Sequence, residues 1–314
     1  LKIKCFFSKK LSFLLSVIYS VFWGKNILYI VFGGLPMLYN SRTDLASESF
    51  RQLGLSMEDL SRDRGVIARQ ERLHGMELFA VDIINNVGAE LLGKRVGKYF
   101  TLDFSGGSAV NIGEAAAAVG DIIGRCCKKK GNVLVAALGN PDITPDALGN
   151  LAADNVIVTR HLKGEALFED FGTVALCRTG VLGTSGIESF EQIRLLCEYL
   201  RPELVIVIDA LAGADMERLC RCIQISTGGI CPGSGVGNDR REINGEVLGV
   251  PVVAIGVPTV IDAGCLGDNG LRSMFVTPKD IDIQVRVAGR IIGYGINFAL
   301  HEGISFEEIE MLVG

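Results

Sequence analysis

Two acidic residues stand where a carboxylate can do chemistry. Val133-Leu134-Val135-Ala136-Ala137-Leu138 leads into Gly139-Asn140-Pro141-Asp142-Ile143-Thr144-Pro145-Asp146, and Leu204-Val205-Ile206-Val207-Ile208 runs straight into Asp209. Apolar runs this short, rich in branched residues and bounded by Gly, Pro or charge, read as buried parallel strands. In an open α/β sheet, chemistry sits in the crevice beyond the carboxyl ends of such strands. Two carboxylates placed just past two strands can share one cleft, which is the arrangement needed for paired acid–base work on a carbonyl or amide.

Each aspartate also has a structural reading. Thr144-Pro145-Asp146 has the form of a helix start: a cap, a proline at the first helical position and an acid in the first turn. The two readings are compatible, because a helix N-terminus is also a functional place. Asp209 follows five apolar residues and sits at the edge of a desolvated core. There a carboxylate needs partners or takes up a proton; neighbouring backbone amides are the structural alternative.

Other motifs carry weaker chemistry. Gly228-Gly229-Ile230-Cys231-Pro232-Gly233-Ser234-Gly235-Val236-Gly237 is glycine-rich, but it lacks the G-x-G-x-x-G spacing between strand and helix and has no phosphate-binding lysine. It reads instead as a loop lining the cleft or an array of amides facing an oxyanion. Ser185 lies in Gly183-Thr184-Ser185-Gly186 without the G-x-S-x-G nucleophile turn. His74, His161 and His301 show no metal-binding pairing, although Arg160-His161, after a predicted strand, makes His161 a cleft candidate. Cys126-Cys127 and Cys220-x-Cys222 lack zinc spacing, and nine cysteines form no regular framework, so they read as buried or half-buried thiols in a reducing compartment.

The elements that must position these residues follow from patterning. A 314-residue chain with 48% hydrophobic and 21% charged residues is globular and buries a large core. The net charge is −5, yet residues 1–40 hold five lysines and no acid, which leaves −10 on the remainder. That acidic body argues against direct nucleic-acid binding. Residues 11–37 are apolar and aromatic behind a basic start, and Gly24-Lys25-Asn26 breaks them into stretches short for a bilayer span. They read as an anchor or targeting segment, or as an upstream reading-frame extension with Met37 as the start. From Asn40 the texture changes: a helix-capable segment over 42–61, strands and turns over 77–110, a helix from Glu114 to Lys130, strands at 156–160 and 173–177, a helix from Glu188 to Leu200, a strand at 252–256, and a helix from Thr277-Pro278-Lys279-Asp280 to about Leu300. Ser305-Phe306-Glu307-Glu308 has capping-box spacing. Alternating strands and helices predict an α/β fold, a mostly parallel sheet with helices on both faces.

Several long motifs in order identify a family resemblance from about residue 40 to the C-terminus. They are Arg42-Thr43-Asp44-Leu45-Ala46, Leu138-Gly139-Asn140 with Thr144 to Gly149, Val158-Thr159-Arg160-His161, Gly180 to Glu188, Ile208-Asp209-Ala210-Leu211-Ala212, Pro232 to Asn238, and Leu248-Gly249-Val250-Pro251 through Ala263. The chain resembles the spore germination proteases of endospore-forming bacteria. The resemblance implies an intracellular endopeptidase of the spore core that degrades small acid-soluble spore proteins, with a fold similar to hydrogenase maturation proteases. It implies catalytic aspartates at Asp146 and Asp209 without metal or other cofactor, and an inactive tetrameric zymogen that cuts itself near the N-terminus. The long apolar N-terminus departs from the family, and Asp142 makes the assignment of the acid to Asp146 ambiguous.

Substrates of that family are cut after the first acid of a Thr-Glu-(Ile or Phe)-Ala-Ser-Glu-like sequence, and this chain carries Thr43-Asp44-Leu45-Ala46-Ser47-Glu48. The expected cut lies between Asp44 and Leu45. It divides the chain into 1–44, an apolar segment plus propeptide that leaves a mature form without membrane attachment, and 45–314, a single peptidase domain. Candidate cleft-lining residues are His161, Glu188, Gly233, Ser234 and Gly235. One aspartate, ionised, would draw a proton from water while the other, protonated, polarises the carbonyl; the sequence does not assign the roles. Two other readings compete: a hydrogenase-maturation-like metallopeptidase using Asp146 and Asp209 as ligands, with or without His161, and a non-catalytic scaffold with a degenerate site.

Overall fold

The computed structural model describes residues 20–24, 27–31, 43–54, 64–104, 110–127, 131–234, 237, 240–263 and 274–313. Two compact units divide at Asn40 and Ser41. In the first, β1 (Ser20–Gly24) pairs antiparallel with β2 (Ile27–Val31), so the break at Gly24 separates two strands. The expectations placed on residues 1–19 and 32–42, Met37 included, lie outside the described residues. Among the described residues no helix is long and apolar enough to cross a membrane.

The second unit is built on one mixed sheet. After α1 (Ala46–Gln52) come β3 (Val66–Leu73), β4 (Met76–Ile83), α2 (Asn86–Leu92), β5 (Gly97–Asp103), α3 (Ile112–Cys126), β6 (Asn132–Leu138), α4 (Leu148–Ala153), β7 (Thr173–Gly180), α5 (Leu182–Ser185) and α6 (Ser189–Leu200). Then follow β8 (Leu204–Gly213), β9 (Cys222–Ser226), α7 (Gly245–Leu248), β10 (Val252–Asp262), β11 (Phe275–Val276), α8 (Ile281–Leu300) and α9 (Phe306–Val313). The strand order is β3-β4-β5-β9-β10-β8-β6-β7, with β11 on β10.

The α/β class and the two helical layers are as the patterning predicts. One face carries α3, α4 and α8 over Val133, Val135, Ile206, Ile208, Val253 and Ile255. The other carries α6 over Leu134, Ala136, Val205 and Val207, and α1 with α2 over Phe79, Val81 and Tyr99. Parallel pairing is confined to β10-β8-β6-β7. The β3-β4-β5-β9-β10 half is antiparallel, so the sheet is mixed rather than mostly parallel. The physical reason is β9, a five-residue strand entered from a turn at Cys220 and inserted between β5 and β10 in the reverse direction.

Local signals decide several boundaries. Ser305 and Glu308 form the reciprocal capping box: the Glu308 carboxylate accepts from the Ser305 N–H at 2.8 Å and the Ser305 hydroxyl accepts from the Glu308 N–H at 3.2 Å. Thr277 does not cap α8; its hydroxyl donates to the Thr259 carbonyl at 2.8 Å. Residues 156–160 do not form a strand. The Thr159 hydroxyl, between the Gly172 carbonyl and the Val174 N–H, and the Asn297 side chain, accepting from the Ile157 N–H, replace ladder bonds there.

His301 is buried at 1% exposure, stacked on Phe171 with ring centroids 4.7 Å apart. Burial pushes its pKa down to about 4. The unfolded chain therefore binds a proton there that the folded chain refuses, and stability falls as pH drops from about 6.5 toward 4. His301→Leu is expected to remove this loss, on the order of 3 kcal/mol between those limits. Urea unfolding of both proteins at pH 7 and pH 4.5 checks it, and equal pH dependence in the two refutes it.

Candidate active site

Asp209 is set inside β8 rather than just past it. The apolar run does not end at the charge, because Ala210, Leu211 and Ala212 continue the pairing with β10. The neighbour on the other side stops earlier, with its last pair at Ala137 and Ile208. Asp209 therefore stands one residue past the last pair between β8 and β6, at the carboxyl end of the parallel half-sheet. Across from it lies Gly256, where an added Cβ would come within 2.5 Å of the Leu211 side chain and 2.9 Å of the Asp209 carbonyl.

Asp146 arrives from β6 through a tight return. The Gly139 φ is +93°, and a Cβ there would lie 2.0 Å from the Asp146 carbonyl oxygen. Thr144–Asp146 forms one 3-10 turn with Pro145 near its start, and Ile143 supplies no side-chain cap. The Asp146 carboxylate reaches back to accept from the Asn140 N–H at 2.7 Å. Asp142 is exposed in the preceding turn, where its N–H donates to the Asn140 side chain. Asp146 is among the residues that line the cleft, whereas Asp142 is not.

Asp146 and Asp209 line the same cleft, about 580 Å³ in volume, together with Asp44, Leu138, Pro145, Gly180, Glu188, Gly233, Arg240, Arg241 and Thr259. Asp209 is 5% exposed, and its carboxylate accepts from the Ala210 N–H at 2.9 Å. Burial drives its pKa well above the usual carboxylate range, and the Asp146 and Asp44 charges push the same way. Burial raises Asp146 too, but the Asn140 amide favours its charged form. Burial is the largest cause at both, so the pair as a whole favours holding a proton.

The other sequence candidates separate cleanly. Glu188 and Gly233 line the cleft, and Ser234 donates to the Asp44 carboxylate at 2.9 Å. Gly235 lies outside the described residues. His161 is not at the cleft: it is exposed on a 3-10 turn (Arg160–Leu162). That turn follows Thr159, which is bonded to the residues where β7 begins, whereas the cleft lies at Gly180, where β7 ends. The ligand trio Asp146–Asp209–His161 is therefore not assembled. Ser185 is exposed in α5 with its hydroxyl on the Val181 and Ile187 carbonyls.

Sequence reasoning missed Gln224, Lys94 and Arg218. Gln224 is buried in β9 and grips residues 44–46. The Lys94 ammonium donates to the Thr43 carbonyl at 2.7 Å, and burial lowers its pKa against the opposing pull of Asp44 and Glu48. Arg218, 3% exposed, donates to the Ser47 hydroxyl at 2.8 Å and pairs with Asp103 at 3.3 Å. The available signal for Gln224 was a polar side chain set between Ile223 and Ile225.

A cleft at the carboxyl end of a parallel half-sheet, holding one buried and one half-buried carboxylate, defines an α/β protein equipped for acid–base chemistry. Residues 43–272 match the family model described as germination protease, and the chain belongs to that family of peptidases. Among its relatives, the germination protease of Caldanaerobacter subterraneus subsp. tengcongensis is 36% identical, over 87% of this chain and 98% of the relative. That of Geobacillus sp. is 41% identical, over 81% and 69%, and that of Clostridium perfringens 34%, over 87% and 98%. A solved [NiFe] hydrogenase maturation protease, HycI from Thermococcus kodakarensis, aligns with 17% identity and a TM-score of 0.32, over 52% of this chain and 92% of its own.

Proposed function

We propose that this germination protease cuts small acid-soluble spore proteins in the spore core, using Asp146 and Asp209 as an aspartic-type pair without a metal. We extend the reading to its own maturation: the chain is a zymogen that cuts itself between Asp44 and Leu45. The observation that carries it is that Asp44 lines the same cleft as Asp146 and Asp209. The resemblance adds assembly as a homotetramer; the acidic body argues against direct contact with nucleic acid, and the cut would remove the apolar segment and leave a mature form free of the membrane.

In this reading Asp146, ionised and held by the Asn140 N–H, takes a proton from a water as its oxygen attacks the scissile carbonyl carbon. Asp209, protonated, donates to the carbonyl oxygen as it gains negative charge. Collapse of the tetrahedral intermediate breaks the C–N bond, and the proton taken from water leaves with the new amine. Latency follows from occupancy: Leu45 and Ala46 are fully buried and Asp44 sits in the cleft, so a second peptide has no access until the segment is cut and moves.

The test incubates the full chain with a small acid-soluble spore protein and a chelator, with Asp146→Asn and Asp209→Asn in parallel. Mass spectrometry of the fragments is expected to show cleavage after the first acid of the Thr-Glu-Ile-Ala-Ser-Glu-like site by wild type alone. Cleavage lost on chelation would return the metallopeptidase reading, and absence of any turnover the scaffold reading.

A further inference from the structure

Residues 43–48 are gripped by groups drawn from four distant parts of the chain. The Asp44 carboxylate accepts from the Ser234 hydroxyl and from the Ala212 N–H, each at 2.9 Å. Its own N–H donates to the Ala212 carbonyl at 2.9 Å, so residue 44 is laid along the end of β8, three residues past Asp209. Gln224 spans the next residue: its side-chain NH₂ donates to the Asp44 carbonyl at 3.0 Å and its side-chain oxygen accepts from the Ala46 N–H at 2.8 Å. One amide side chain thus does for Leu45 what a neighbouring strand would do, holding it extended at φ −84° and ψ 121°. Farther along, the Glu48 carboxylate accepts from the Ala214 N–H at 2.7 Å.

These contacts differ in what they can read. A backbone clamp is indifferent to the side chain it spans. Two neutral donors converging on a carboxylate are not, because hydrogen bonds to a charged acceptor are the stronger kind and are lost with the charge. Beyond the acid, space decides: Leu45 and Ala46 have no exposed surface, so the pockets behind the acid take an apolar residue and then a small one.

We propose that Ser234 and the Ala212 amide select an acid on the amino side of the cut bond, while Gln224 holds that bond's carbonyl in register with Asp146 and Asp209. This rests on the peptidase reading above and names the residues that give it specificity. The substrate class is an extended peptide of the form acid–apolar–alanine. Ser234 and Gln224 are recognition residues, and the proton chemistry stays with the aspartate pair.

The test is a double-mutant cycle on self-cleavage of the full chain, followed by mass spectrometry over time. Ser234→Ala and Asp44→Ala are each expected to slow the cut about 10- to 100-fold. The double variant is expected to be no slower than the slower single variant by more than about threefold, since both remove one interaction. Ser234→Thr keeps the hydroxyl and is expected to return the rate to within a few-fold. Gln224→Ala is expected to slow cleavage about tenfold by an effect that multiplies with Asp44→Ala, because it reads backbone.

A synthetic peptide of residues 39–52, with Asp or Ala at the position of residue 44, repeats the comparison in trans on enzyme whose folding is checked by thermal unfolding. Wild type is expected to favour the Asp peptide in kcat/KM at least tenfold, and Ser234→Ala to lower that ratio about tenfold. Effects of Ser234→Ala and Asp44→Ala that multiply, or an unchanged ratio, overturn the assignment. Wild type that cuts neither itself nor the peptide, or an Asp209→Asn variant that cuts both, overturns the peptidase reading instead.

Discussion

Asp209→Asn is expected to lower cleavage by about 10³-fold or more and to make the folded protein more stable at neutral pH. The loss follows from the proton. Asn is close in shape and neutral, but it cannot pass a proton or gain hydrogen-bond strength as the carbonyl oxygen becomes negative. The gain in stability follows from the environment. Asp209 is buried inside β8, and burial, then the Asp146 charge, hold its pKa above that of the unfolded chain. A carboxyl whose pKa is raised on folding contributes fully below its unfolded value and loses that contribution as pH rises toward the folded value. Wild type and variant should therefore have equal stability near pH 4. By pH 8 the variant should be the more stable of the two, with the higher Tm. Thermal unfolding at both pH values, beside a cleavage assay, checks the two halves. A variant that is inactive and less stable at pH 8 would mean that Asp209 is ionised in the native protein, and the roles of the two aspartates would exchange.

That role assignment is the part of the site that sequence could not reach. The sequence singles out both aspartates because each follows a run too apolar for a surface strand, and the structure brings both to one cleft. Which of them carries the proton depends on how far each is desolvated, and that is fixed by strand lengths. β8 runs on past Asp209 beside β10, whereas β6 stops at Leu138, which leaves Asp209 walled in and Asp146 on the rim. The distinction between Asp146 and Asp142 had the same origin, since only the fold of the turn shows which one points inward.

His161 was misplaced for a related reason. Its motif is read as following a strand at 156–160, which does not form, and periodicity reports burial but is silent on direction. Thr159 is bonded where β7 starts, so Arg160-His161 emerges at the wrong end of the sheet. The antiparallel half escaped similarly. β9 is only Cys222–Ser226, beside cysteines that drew attention as possible ligands, and its pairing with β5 and β10 joins segments far apart in sequence. Burial accounts for those cysteines: it pushes the Cys220 thiol up to about 12 and Cys222 well above its ordinary value, so both stay protonated.

Gly149→Ala is expected to cost about 2–3 kcal/mol of stability and about 100-fold in kcat/KM, although it adds one methyl group and touches no substrate. The methyl would lie 2.3 Å from the Leu138 carbonyl oxygen, 2.7 Å from the Leu138 nitrogen and 2.8 Å from the Ile208 carbonyl oxygen. All three atoms belong to paired strands, so no flexible side chain can give way. Relief has to come from α4, which would lift off the ends of β6 and β8. Asp146 precedes α4 by two residues and would move with it, and so would Asn150, whose side chain donates to the Gly139 carbonyl at 3.1 Å. An outward shift of about 1 Å separates Asp146 from the carboxyl it must work with, and misplacement of that size in a positioned pair suffices for a loss of this order. Gly183→Ala is the control: Gly183 lines the cleft, has no atom within 4 Å of an added Cβ, and the change is expected to leave both quantities nearly unchanged. Urea unfolding and cleavage kinetics at a temperature where both variants remain folded give the comparison. If Gly149→Ala kept wild-type activity, the spacing of the two aspartates would not be set by the contact of α4 with the strand ends, and their close approach would have to be held by the loop from Gly139 to Pro145 alone.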